Sequence, residues 1–211
     1  MGGRPRAFDE QTVLERAMEL FWRDGYASTS LQALLDCMGI SRQSLYNAFG
    51  DKRNLYLACL DRYIERRASG MLSQLEAPDA GYAEVIGFFD GLRQREAKPA
   101  ETPRTCLIGR SCVELGADDP DVAERVQAHM YRTMQAFRNA LKNAVARGEV
   151  EPLDPDAVSR HLTATLQGLG MMRRAGATLE ELGGAVGVAL SVIRPTAALA
   201  ESTDAAVAPA E

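Results

Sequence analysis

The chain has 211 residues, of which 46% are hydrophobic and 25% are charged, with a net charge of −5. This composition is typical of a globular protein with a sizeable core, and the absence of an apolar run of about 18 residues predicts no transmembrane helix. The net charge would argue against nucleic-acid binding if it were spread evenly. However, residues 1–67 hold ten Lys/Arg and nine Asp/Glu, so the acidic excess lies in the remainder.

The first residues, MGGRPRAFDE, are basic and lack the apolar stretch of a secretory signal, so we expect a cytoplasmic protein. Arg4 and Arg6 flank a proline. This segment is either an arm that reaches into a DNA minor groove or a disordered terminus. A first helix is predicted from Asp9 to about Arg23, because apolar residues recur at helical spacing, and Gly25 is a plausible stop.

The stretch from Ser28 to Arg53 has the pattern of two short helices joined by a tight turn. Gly39 can adopt the left-handed turn conformation without steric cost, and Ser41 is a good N-cap for the second of the two helices. Leu45 lies four residues before Phe49, and both are expected to face inward. Five side chains are then expected to point outward: Arg42, Gln43, Ser44, Tyr46 and Asn47.

That polar face suits a helix placed in the DNA major groove, where Gln43 could pair with adenine and Arg42 with guanine or phosphate. We expect Ser44 and Asn47 near bases and Tyr46 near phosphate. Thr29 or Ser30 should cap the preceding helix, and Thr29 is a further candidate for a phosphate contact. The alternative is an αα-corner of an ordinary helical protein.

Two segments carry a family resemblance: FWRDGYASTSL, and then MGISRQSLYNAFGDKRNLY. In order and spacing they resemble the N-terminal domain of the TetR/AcrR family of bacterial transcriptional regulators, from about Phe8 to Leu60. A weaker similarity covers Thr105 to Val122. The helical patterns predict an all-α protein of about nine helices, as the resemblance also implies. The motifs of a nucleophile elbow and of a dinucleotide-binding fold are incomplete, so neither enzymatic activity nor a cofactor is expected. The resemblance also implies that Lys52 contacts phosphate. The other basic residues available for phosphates are Arg4, Arg6, Arg42 and Arg53.

The resemblance and the helical patterns together predict three regions. Residues 1–55 form a helix-turn-helix head, residues 56–195 a ligand-binding and dimerisation bundle, and residues 196–211 a disordered tail. A long fourth helix from Lys52 to about Leu75 links head and bundle. The later helices are predicted over 82–95, 106–115, 120–147, 155–174 and 179–193, with a polar loop over 98–103.

The last two helices are rich in glycine and alanine. Because glycine weakens a helix, we expect a packing reason for its frequency, and the family dimerises through its last two helices. A two-fold dimer would present two recognition helices to a palindromic site. A monomeric glycine-rich bundle is the alternative.

A small-molecule pocket is implied by the resemblance, and its ligand is not identified by the sequence. The candidate lining residues are Phe88, Phe89, Cys106, Arg110, Tyr131, Met134 and Met171. Aromatic and Met residues at helical spacing are more often plain core, and a surface salt bridge is the favoured alternative for Arg110. Cys106 could be a reactive thiol, because it opens a helix, or a buried structural residue. The four cysteines and two histidines show no metal-ligand spacing, so no metal site is predicted.

These observations predict a homodimeric, ligand-responsive repressor that binds a double-stranded DNA operator. The rival hypothesis is a small-molecule-binding helical protein whose head no longer reads a DNA sequence. Neither hypothesis identifies the effector, the operator or the target genes.

Overall fold

The computed structural model describes residues 9–96 and 106–199. Within these ranges the chain forms ten α-helices and one π-helical segment, and no strand; Val150 and Pro195 form one isolated antiparallel bridge. The helices are α1 (Glu10–Asp24), α2 (Leu31–Met38), α3 (Arg42–Phe49), α4 (Lys52–Arg67), α5 (Ser73–Leu75), α6 (Tyr82–Glu96), α7 (Leu107–Leu115), α8 (Pro120–Ala146), α9 (Pro155–Arg174) and α10 (Leu179–Leu190). The all-α prediction is confirmed.

Among the described residues the chain divides into two compact units. The first contains residues 9–67 and 106–129, and the second contains residues 68–96 and 130–199. The predicted boundary after residue 55 therefore does not coincide with this division. The reason is that α7 packs on α4 and buries Leu107 and Ile108 completely, which joins a late segment of the chain to the N-terminal helices.

The three N-terminal helices are delimited by side-chain caps and glycines. Asp9 accepts hydrogen bonds from the amides of Gln11 and Thr12 at the start of α1, Ser30 caps α2 and Ser41 caps α3. Gly39 follows α2 with φ 69°, the left-handed conformation that the sequence predicts for the turn. These caps satisfy backbone groups that the helix ends leave unpaired.

The core of the first unit lies where α1 packs on α2 and α4, and where α3 packs on α4. Leu34, Leu45 and Leu55 are completely buried there. Next to them Phe21 meets Tyr56 edge to face, with ring centroids 4.9 Å apart. The buried Tyr56 hydroxyl donates to Ser111 Oγ (2.7 Å), whose own proton goes to the carbonyl of Leu107. Tyr56 thus satisfies its polar atom while packing its ring.

The predicted fourth helix is interrupted. After α4 the chain continues through the π-helical segment Ala68–Leu72 into the short α5, so the helical path ends at Leu75 as expected. The passage from the first unit to the second coincides with the start of this segment. A π-helical turn has wider hydrogen-bond spacing than the α-helix around it and is uncommon, and the apolar pattern used for the prediction did not distinguish it from an α-helix.

The second unit is built on α6, α8, α9 and α10. Phe88, Phe89 and Phe137 form its aromatic centre, with ring centroids 5.1 to 5.7 Å apart. Asp154 caps α9, and Thr178 with Glu181 forms a capping box at α10. Described structure continues beyond the predicted boundary after residue 195, where the Thr196 amide donates to the Glu149 carbonyl (3.0 Å). The predicted polar loop over 98–103 and residues 200–211 of the predicted tail lie outside the described residues.

Candidate nucleic-acid interface

The exposed side of α3 is the strongest candidate site of the first unit. Leu45 is completely buried and anchors the helix, and Ser41 Oγ accepts the Ser44 amide hydrogen (3.1 Å) at its start. This anchoring turns four of the five predicted side chains to solvent and leaves Ser44 half-buried. The exposed residues are Arg42, Gln43, Tyr46 and Asn47.

Two hydrogen bonds order this side of α3. Gln43 Nε2 donates to Asn47 Oδ1 (2.9 Å), one helical turn away, and the hydroxyls of Ser41 and Ser44 are 3.0 Å apart. The amide pair keeps the Gln43 oxygen as an acceptor and the Asn47 nitrogen as a donor for an outside partner. Such a donor and acceptor set matches the edge of adenine in the major groove. DNA contact by these residues stays a prediction.

Two candidates beside α3 have different surroundings. Lys52 is half-buried, and its ammonium nitrogen lies 4.4 Å from the centre of the Tyr26 ring. Thr29 is only 2% exposed, and its hydroxyl donates to the carbonyl of Gly25. This burial corrects the assignment of Thr29 to a phosphate, because its hydroxyl is turned into the protein; the exposed cap is Ser30.

The sequence makes Arg53 one of the cations available for phosphate, and the structure pairs it with acidic side chains. Its guanidinium donates to both carboxylate oxygens of Asp119 (2.6 and 2.7 Å) and to Asp121 (2.6 Å). The Arg53 hydrogen bond holds the pKa of Asp119 below its ordinary value, and the two carboxylates raise the pKa of Arg53. Two acidic partners offset its charge, so Arg53 is already engaged within the protein.

Arg110 also has a role that the sequence did not reveal. Its guanidinium donates to the carbonyls of Arg23 (3.1 Å) and Asp24 (2.6 Å), at the end of α1, and to Glu114 (2.6 Å). The second Glu114 oxygen accepts the amide hydrogen of Tyr26 (2.8 Å). Arg110 therefore closes the C-terminus of α1, where carbonyls lack helical partners, and its guanidinium is engaged within the first unit.

The predicted pocket residues are divided between the two compact units. Cys106 and Arg110 belong to the first unit, and the other five belong to the second. Phe88 and Phe89 are buried in the aromatic centre, Met134 is half-buried, and Tyr131 and Met171 are 60% and 66% exposed. The pocket assignments stay predictions, and Tyr131 and Met171 lie at the surface of the second unit.

The cysteines differ in environment. Cys59 is completely buried, and burial raises the pKa of its thiol. Cys106 is half-buried before α7, where its sulfur accepts a hydrogen bond from the Tyr63 hydroxyl (3.6 Å), and Cys112 is exposed. The redox role of Cys106 stays a prediction. In the part of the chain that the structure describes, no three His, Cys, Asp or Glu side chains are grouped to hold a metal.

Arg4 and Arg6 lie outside the described residues.

Sequence reasoning missed three residues that the structure places near the candidate site: Tyr26, Glu114 and Asp119. Tyr26 falls in the segment that resembles the family, but nothing local pairs it with Glu114, 88 residues away. Among the described helices, none combines the length and the apolar character that a membrane span requires.

A capped recognition helix, mounted on two supporting helices with its polar side in solvent, defines the helix-turn-helix class of DNA-binding proteins. Two family models match the chain: "Bacterial regulatory proteins, tetR family" over residues 13–59 and "Tetracyclin repressor-like, C-terminal domain" over residues 81–186. The chain belongs to the TetR family of DNA-binding transcriptional regulators, which are not enzymes.

Individual relatives agree with this membership. The HTH-type transcriptional repressor ComR of Escherichia coli K12 is 34% identical over 184 residues, which cover 85% of this chain and 86% of ComR. The uncharacterized HTH-type transcriptional regulator YezE of Bacillus subtilis 168 is 34% identical over 194 residues, covering 90% of this chain and 99% of YezE.

Solved structures share the fold. A cysteine mutant of the TetR family regulator CifR, complexed with 26-bp double-strand operator DNA, matches with a TM-score of 0.79 and 28% identity, over 90% of this chain and 100% of that chain. A TetR transcriptional regulator from Chloroflexus aurantiacus J-10-FL matches with a TM-score of 0.75 and 25% identity, over 88% of this chain and 96% of that chain.

Proposed function

We propose that this protein is a ligand-responsive transcriptional repressor that acts in the cytoplasm as a homodimer on a palindromic operator. The observation that carries the proposal is the exposed polar side of α3, held outward by the burial of Leu45 and the Ser41 cap. Relatives support it, because ComR is named a repressor and CifR was solved on operator DNA.

The proposed DNA contacts divide into base readers and phosphate contacts. Gln43, Ser44 and Asn47 face bases, and Arg42 contacts guanine or phosphate. Tyr46 and Lys52 contact phosphates, joined by Arg4 from the N-terminal arm. Thr29 and Arg53 are left out, because one is buried and the other is bound to two carboxylates.

The proposed dimer forms through α9 and α10. Met171 and Val188 on these helices are 66% and 73% exposed, and further apolar side chains are exposed nearby: Met172, Leu179 and Val192. At Gly168, Gly184 and Gly187 no atom beyond the adjoining backbone of the same helix and the neighbouring residues lies within 4 Å of the position a Cβ would take. A bare glycine surface beside exposed apolar side chains permits close helix approach across a two-fold axis. An exposed apolar surface of this kind is also typical of an interface.

The effector is proposed to bind the second unit, which contains most of the residues that match the C-terminal family model. A ligand can weaken DNA binding only to the extent that it prefers the conformation incompatible with the operator. The chain path that carries this change is α4 and the π-helical segment that follows it.

The test is a gel-shift titration with the DNA upstream of the protein's own gene, repeated over a range of salt concentrations. The repressor proposal predicts retention of this DNA in preference to random DNA, and an observed binding constant that falls steeply with salt because phosphate contacts release counterions. Binding no tighter than to random DNA would contradict it and favour the small-molecule-binding rival.

A further inference from the structure

Lys52 is held against an aromatic ring rather than extending freely from the protein. Its ammonium nitrogen lies 4.4 Å from the centroid of the Tyr26 ring, within the range of a cation–π contact. Burial lowers the pKa of Lys52, and the nearby Glu114 carboxylate acts in the opposite direction. A lysine on a four-carbon stem otherwise samples many conformations, so the ring limits where the charge can lie.

The Tyr26 ring is itself fixed in place. Its centroid lies 4.9 Å from that of Tyr56 and 6.1 Å from that of Phe21. Tyr56 is 1% exposed and bound through its hydroxyl to Ser111, so the surface behind the Tyr26 ring belongs to the packed core of the first unit. Lys52 therefore rests on a rigid support.

The backbone of Tyr26 is held from α7. Glu114 accepts the Tyr26 amide hydrogen with one oxygen (2.8 Å) and binds Arg110 with the other (2.6 Å). Arg110 and Glu114 also fill the space next to Gly25, where a Cβ would lie 2.2 Å from the Arg110 guanidinium. The conformation before α2 is thus fixed by a helix from a distant part of the chain.

We propose that Tyr26 is a positioning residue for DNA binding, whose ring holds the Lys52 ammonium ready for a backbone phosphate. The inference rests on the proposed function, in which Lys52 contacts phosphate. Without the ring, Lys52 keeps its charge but must be ordered when DNA binds, which costs affinity. From the usual strength of a cation–π contact, we expect operator affinity to fall about two- to fivefold for each subunit that contacts DNA.

The experiment is a double-mutant cycle on the full-length protein, with operator affinity measured by fluorescence anisotropy. The variants are Tyr26→Leu, Lys52→Ala and their combination, with Tyr26→Phe as the matched control that keeps the ring. Because Trp22 is the only tryptophan and lies in α1, its fluorescence during thermal unfolding shows whether each variant is folded. If Tyr26→Leu is unfolded, the substitute variant has trifluorophenylalanine at position 26. This residue keeps the shape of the aromatic side chain but weakens the negative charge on the ring face that attracts the Lys52 ammonium.

We expect Tyr26→Leu to weaken operator binding in the wild-type background and to have no further effect once Lys52 is alanine. Tyr26→Phe should stay within about twofold of wild type, since the ring face is kept. Equal losses from Tyr26→Leu in both backgrounds would overturn the inference, because the effect would then not act through Lys52. An unchanged affinity in Lys52→Ala would overturn it as well. A wild-type protein that does not prefer operator over random DNA would instead refute the proposed function.

Discussion

Replacement of Arg110 by alanine is predicted to destabilise the first unit strongly. The Arg110 side chain is 11% exposed, and its guanidinium binds Glu114 and closes the end of α1 through the Arg23 and Asp24 carbonyls. Hydrogen bonds to a charged group contribute about 1.5–3 kcal/mol each, and removing one partner of a buried ion pair costs about 3–5 kcal/mol. Water can reach part of this site, so we expect a loss of about 2–4 kcal/mol in the free energy of unfolding.

The assay is thermal and urea unfolding followed by Trp22 fluorescence, with all proteins at one concentration because the stability of the proposed dimer would depend on it. A loss of about 3 kcal/mol corresponds to a fall in Tm of roughly 6–12 °C for a chain of this size. The matched control is Arg23→Ala, which removes a neighbouring ion pair that is 53% and 38% exposed and should cost less than about 1 kcal/mol. Equal, small effects of both substitutions would refute the role assigned to Arg110.

Three further predictions concern the other contacts. Because the Arg53 hydrogen bond lowers the pKa of Asp119, that carboxylate stabilises the fold at a pH above its unfolded pKa. In urea unfolding, the free energy of unfolding should be higher for wild type than for Asp119→Asn, and this difference should shrink as the pH falls below about 3.8. Ser41→Ala should cost about 1 kcal/mol in the same assay, since it removes the α3 cap; an unchanged value would contradict that role. Val188→Asp should give a monomer in analytical ultracentrifugation, because it places a charge in the proposed interface. Val113→Asp, at a similarly exposed valine outside α9 and α10, should leave the protein a dimer. If both variants are dimers, the proposed interface is excluded.

Local patterns were sufficient to predict the helix-turn-helix from the sequence. The spacing of Leu45 and Phe49, the glycine at 39 and the serine at 41 act within a few residues of one another, and the structure has the turn and the cap where they indicate. The local pattern does not show which of two adjacent hydroxyl residues caps α2. In the structure Ser30 is the cap, and the Thr29 side chain turns inward.

Contacts between distant parts of the chain could not be predicted in this way. Arg53 meets Asp119 across 66 residues and Tyr26 meets Glu114 across 88. Both pairs depend on α7 and the start of α8 packing on the head, which no periodicity signals, because the buried side of α7 looks the same whichever partner covers it. For the same reason the sequence does not indicate that Arg110 lies at the end of α1.

The most direct test of sequence reading by α3 is operator binding in competition with random DNA by Gln43→Ala. The matched control is Gln32→Ala, because Gln32 is an exposed amide on α2 that binds Asp36 (2.8 Å) one turn away, as Gln43 binds Asn47. We predict that Gln43→Ala lowers the preference for operator about 5- to 100-fold while random-DNA affinity is unchanged, and that Gln32→Ala alters neither. Equal operator preference in Gln43→Ala and wild type would contradict a role for Gln43 on α3 in reading the operator.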